Sequence, residues 1–205
     1  MIHMTGLARG AADATLATRL GVQMIDKYEL IADGDSGLFR LRALRDIGDD
    51  VKTGHLGGIV AGPDNLSQTG DAWVDGNAQV SGNAQVSGGA RVVENAQVSE
   101  NAQVSGGAWV GGDAWVGEDA QVSGNAQVSG DAWVGGDAQV SGNAQVGGDA
   151  WVGGDAWVSG DARVSGNARV SGDAWVSGDA RVSGSARVSG DARVDGDGGR
   201  AVPSP

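Results

Sequence analysis

Cysteine is absent from the 205 residues, which excludes disulfides and thiolate metal sites. Histidine occurs only at His3 and His55, so acid–base chemistry built on imidazole has little to draw on. Phe and Tyr occur once each, which rules out an ordinary aromatic core. No apolar run approaches the ~18 residues of a membrane span. The N-terminus lacks a basic segment followed by an apolar one, so no signal peptide is expected. A cytoplasmic or virion-associated protein is the resulting expectation. Basic residues are in the minority, 14 against 26 acidic, for a net charge of −12. That balance disfavours a passive grip on nucleic-acid phosphates or anionic lipid, so neither nucleic acid nor membrane is expected as a partner.

What the chain does have is repetition. From Asp71 to Val194 a six-residue unit, Gly-Asx-Ala-x-Val-Ser, is written without insertion or proline. Twenty-one valines recur at every sixth position from Val74 to Val194, and alanine precedes each by two, from Ala72 to Ala192. Such a period marks a parallel β-helix, in which stacked repeats bury a shared core. Three hexads per turn make a triangular prism of 18-residue coils, about seven regular ones, roughly 34 Å long at ~4.8 Å per coil. Alanine and valine point inward, and the residue between them points out. Asn, Asp and Gly best tolerate positive φ, which places the left-handed backbone position in the Asx column.

Four segments follow: residues 1–26, a tail or short helix; 27–64, a hairpin and irregular lead-in; 65–194, the repeats; 195–205, a flexible tail. In the first, Ala11, Leu16, Ala17 and Leu20 share one helical face. In the second, Tyr28 to Ile31 and Leu38 to Leu44 read as strands around the turn Asp33 to Gly37. Phe39, Leu41 and Ala43 alternate there with Arg40 and Arg42, so one face is buried and the other basic. This hairpin is expected to cap the first coil, since an open edge of parallel strands templates aggregation. Asn65-Leu66-Ser67-Gln68 reads as a degraded hexad, with Leu66 in the alanine slot and Gln68 in the valine slot.

The hexads resemble those of the left-handed β-helix (hexapeptide-repeat) proteins, whose best-known members are trimeric acyltransferases. The resemblance implies a left-handed parallel β-helix. The lead-in is similar to something narrower, through Lys27-Tyr28-Glu29-Leu30, Phe39-Arg40-Leu41-Arg42-Ala43-Leu44-Arg45-Asp46, Leu56-Gly57-Gly58 and Asn65-Leu66-Ser67. These residues resemble the opening of uncharacterised phage and prophage hexapeptide-repeat proteins, some labelled acyltransferases (the YdcK type). The acyltransferases of the wider family use a coil histidine as general base, an inserted loop and a C-terminal element around coenzyme A. The tract here has no histidine and no inserted loop, and no helix follows it. No catalytic residue, metal site or cofactor is therefore assigned, and His55 reads as a surface residue.

The outward slot is the informative one. All seven tryptophans occupy it, and an 18-residue turn stacks Trp115, Trp133 and Trp151 on one face and Trp157 and Trp175 on the next. Trp73 and Trp109 share the third with Arg91 between them. Glutamine fills this slot toward the N-terminal end and arginine toward the C-terminal end. Contiguous exposed aromatics mark an interface, although stacked indoles also stabilise successive coils by ring packing, and a sugar platform is a third use. Trp109, Trp115, Trp133, Trp151, Trp157 and Trp175 are thus the candidate interface or ligand platform. A homo-oligomer, preferably a trimer, is the expected assembly, with a protein or glycan partner as alternative. A second column, Asp119, Asp137, Asp155, Asp173 and Asp191, could attract Ca²⁺, but solvated turn carboxylates are the plainer reading. Ice binding is disfavoured by the absence of threonine from the tract.

The sequence therefore points to an all-β, non-enzymatic structural solenoid of phage or prophage type. A coenzyme-A-dependent acyltransferase and a carbohydrate-binding solenoid are the alternatives.

Overall fold

The structure, a computed structural model, describes residues 26–196. The helical face through Ala11 and Leu20, and the tail beyond Gly196, lie outside the described residues.

Each hexad from Trp73 onward forms one short strand, made of the outward residue and its valine. Strands 18 residues apart pair in parallel, as in Trp115↔Trp133 and Val116↔Val134, and the three sets form the three faces of a β solenoid. About eight turns result once the lead-in coil is included. The ladder is regular because each outward N–H reaches the alanine carbonyl of the next coil, as from Trp133 N to Ala150 O at 2.9 Å. Inside, the alanine and valine columns are buried from Ala72 through Val182. Each valine buried in this way contributes roughly 1.5–3 kcal/mol relative to exposure. No coil could bury its own inner side, so stability is shared between neighbours.

The corner backbone departs from expectation. The left-handed residue is the glycine before the Asx, as at Gly76 (φ 66°) and Gly136 (φ 66°), and not the Asx itself. Two adjacent columns, both rich in tolerant residues, were compatible with the sequence. The close approach between coils decides which one turns: a Cβ on Gly136 would lie 2.7 Å from the Gly154 nitrogen. Three glutamates nevertheless occupy the turning column, Glu94, Glu100 and Glu118, at φ 63°, 61° and 56°. The carboxylates of Glu94 and Glu118 accept from the backbone N–H of Gly112 and Gly136 one coil on, which offsets the left-handed cost.

The lead-in is also more regular than the sequence implied. Strands β1 (Tyr28–Ala32) and β2 (Phe39–Ala43) form an antiparallel hairpin, and β2 pairs with β3 (Leu56–Val60). Val60 then pairs in parallel with Val80, and Leu66 with Val86, at a spacing of 20 rather than 18. Leu66 therefore sits in the valine column, not the alanine slot, and the two extra residues fall between it and Val74. Gln68 is not a core residue either; its Oε1 accepts from Lys27 N at 2.9 Å. The hairpin extends one face and covers its edge, while Leu41, Ala43, Ile47 and Val51 continue the core.

Buried polar groups fasten this end. Asn65 accepts from Gly62 N and donates to the carbonyls of Gly82 and Ala84. The Tyr28 hydroxyl donates to Leu66 O at 2.6 Å; burial, and then the Asp64 charge, raise its pKa above the usual phenol range. Lys27 is fully buried and donates to Ala72 O at 2.9 Å. Burial, reinforced by Arg45 and Arg91 against the opposing pull of Asp71, lowers its pKa to about 8.

Candidate interaction surface

The face that the hairpin extends carries, in its outward column, Gln79 and Gln97, then Trp115, Trp133 and Trp151, then Arg169 and Arg187. Its three indoles stack with centroids 5.0 and 5.1 Å apart and planes within 7°. On the next face Trp157 and Trp175 stack at 4.8 Å, and the Arg193 guanidinium lies 5.2 Å from the Trp175 ring. Trp109 stands on the remaining face between Arg91 and Gln127. Trp109 and Trp115 are one hexad apart, as are Trp151 and Trp157, so the two stacks and Trp109 follow one another around the three faces as a winding band, with ring stacking only within Trp115–Trp133–Trp151 and Trp157–Trp175.

The seventh tryptophan is not part of it. Trp73 is fully buried, against the expectation that every outward slot is a surface position. The lead-in crosses above it: a Cβ on Gly57 would meet the Trp73 ring at 2.6 Å, and His55 lies 6.4 Å away between centroids.

Four further residues shape the band, and a motif search by side-chain chemistry passes over them. The usual serine after valine is replaced by glycine at Gly111, Gly117, Gly135 and Gly153, in each case two residues after a tryptophan. All four are buried under the preceding ring, and an added Cβ would stand 2.2–2.6 Å from indole carbons. The rings therefore lie down over the corner and are half-buried. The signal was present as Trp-Val-Gly against Trp-Val-Ser. Serine remains after Trp157 and Trp175: Trp157 is the more exposed, at 39 %, with its Nε1 3.4 Å from Ser141 Oγ, while Trp175 is half-buried.

Among family descriptions, the YdcK beta solenoid repeat matches residues 78–94, 96–112, 120–136, 138–154, 162–178 and 174–189. The repeat tract belongs to the YdcK beta-solenoid family. No curated protein matches the chain.

In this YdcK-type solenoid the corners carry amide ladders. Asn77 donates to Asn95, which donates to Asp113; Asn83, Asn101 and Asp119 repeat the pattern, as do Asn125, Asn143 and Asp161. Each aspartate ends its ladder because a carboxylate only accepts. Among the described residues no three His, Asp or Glu side chains converge as ligands for a metal. His55 Nε2 and Asp75 Oδ1 are hydrogen-bonded at 2.9 Å. No helix among the described residues is long and apolar enough to cross a membrane.

Proposed function

We propose that this protein is a non-enzymatic structural element, a rigid YdcK-type solenoid that assembles with itself through its tryptophan band. Such a rod would serve as a scaffold, spacer or decoration element in a phage or prophage setting. The observation that carries this reading is the band itself: six indoles, half-buried or exposed, on neighbouring hexads and coils of a repeat tract whose other outward residues are glutamine and arginine. Aromatic surface of that kind concentrates at protein interfaces. Seven uninterrupted coils supply the stiffness.

Two features weigh against the alternatives. The repeat tract offers no histidine and no inserted loop, the features that the acyltransferases of this fold use as base and coenzyme A site. The indoles of Trp115, Trp133 and Trp151 cover each other's faces, whereas a sugar packs against a free ring face. Light scattering on size-exclusion peaks of the wild type and Trp133→Ala tests the proposal. The expected result is an oligomer that loosens in the variant. A monomer in both would refute self-assembly, and saturable acetyl-CoA binding would restore the enzyme.

A further inference from the structure

The three faces differ in one respect that bears on how two copies could meet. On the hairpin-extended face, Trp133 occupies the central regular coil, with Trp115 and Trp151 one coil to either side. Beyond them lie Gln97 and Gln79 toward one end, Arg169 and Arg187 toward the other. Within the seven regular coils of this face the aromatic part is thus central and its polar parts are equal in length; past Gln79 the sheet continues through Ile59 into the hairpin. Neither other face has this property: one centres on Gln127, and the other keeps both tryptophans in its C-terminal half.

Resting on the self-assembly reading above, we infer that this face packs against the same face of a second copy, antiparallel, about a two-fold axis at Trp133. Trp133 then meets Trp133, Trp115 meets Trp151, Gln97 meets Arg169, and Gln79 meets Arg187. The contact is self-complementary, as a two-fold interface must be, with an apolar centre and a polar rim. Charge favours the antiparallel sense. Glu94 and Glu100 are exposed and stand at the two corners of the coil that carries Gln97, so Arg169 of the second copy approaches between two carboxylates. None of Glu94, Glu100, Arg169 and Arg187 is in an ion pair among the described residues. In a parallel contact of this face with itself, Arg169 and Arg187 would stand against their own copies, and like charges repel.

The glycines suit the same contact. Gly117, Gly135 and Gly153 let the three rings lean down over the corner while stacked face to face, so the strip stands low and presents ring edges to a second sheet. At ~4.8 Å per coil and ~3.3 Å per strand residue, seven coils make a face roughly 34 Å by 15 Å. Two apposed copies cover on the order of 1,000 Å², the lower end for a specific interface, so the dimer dissociates on dilution.

The chain has no cysteine, so introduced thiols are unique. Gln97→Cys and Arg169→Cys are prepared separately in the full chain, at exposed positions outside the core, with folding checked by circular dichroism. Each is oxidised alone and as a mixture, and sedimentation reports association. Disulfide-linked dimers from the mixture, with few from either variant alone, are expected, and Gln79→Cys with Arg187→Cys should repeat the result. Linkage of each variant to itself would overturn the antiparallel contact while leaving self-assembly standing. Association without linkage in any combination would overturn this face as the contact. A monomer at every concentration would remove both the contact and the self-assembly reading.

Discussion

Replacing Gly135 by serine restores the repeat's own consensus, yet the structure expects it to be destabilising. An added Cβ would lie 2.5 and 2.6 Å from Cη2 and Cζ2 of Trp133, so the ring must lift from the corner. The backbone is not at fault, since Gly135 is not in the left-handed region. Lifting the ring disturbs both of its stacked partners, Trp115 and Trp151. Stacked aromatic pairs are worth about 0.5–1.5 kcal/mol each beyond burial, so losing most of two pairs costs about 2 kcal/mol. In a chain of this length that lowers Tm by about 4–8 °C. Gly147→Ser is the control: it occupies the same slot after Gln145, and its added Cβ meets no ring, only Ser129, at 3.3 Å from Oγ and 3.8 Å from the carbonyl oxygen. The assay pairs thermal melts with the far-ultraviolet exciton signal of stacked indoles. Gly135→Ser should lose both stability and exciton amplitude, while Gly147→Ser should keep both. An unchanged signal in Gly135→Ser, or equal losses in the two variants, would refute the idea that glycine is there for the ring.

The corner geometry makes a second comparison. Gly136→Ala puts a side chain at φ 66° and against the next coil, and should cost at least about 2 kcal/mol, whereas exposed Asp137→Ala should cost far less; urea melts of the two would decide which column turns the chain. Lys27 supplies a pH dependence. Its folded pKa of about 8 lies below the ordinary lysine value of 10.5, so the unfolded chain holds the proton in between and stability rises with pH across that window. Complete release is worth about 3 kcal/mol. Tyr28, whose pKa burial raises, acts oppositely above about pH 10, where the unfolded phenol ionises first and stability falls. Urea midpoints should therefore climb from pH 8 to about 10 and then turn over, and Lys27→Met should flatten the climb; a Lys27→Met profile as steep as wild type would count against a depressed Lys27.

The six-residue register alone determined the stacking of the repeats. With valine every sixth residue and alanine two before it, only an 18-residue turn buries both columns, so the Trp115–Trp133–Trp151 and Trp157–Trp175 alignments were legible at once. The hairpin was legible too, because alternation in Phe39 to Ala43 is a local signal. Three things waited for the tertiary structure. Which of two adjacent tolerant columns carries the left-handed residue depends on the gap between coils, a distance that no single hexad encodes. That Trp73 is interior depends on the lead-in crossing above it, with Gly57 making the room. The 20-residue first coil, with Leu66 in a valine position, depends on where the hairpin, Lys27 and Asn65 hold the chain. The repeats could be read from periodicity because each coil meets only copies of itself. The lead-in could not, because it packs against residues that differ from it and lie far away in sequence.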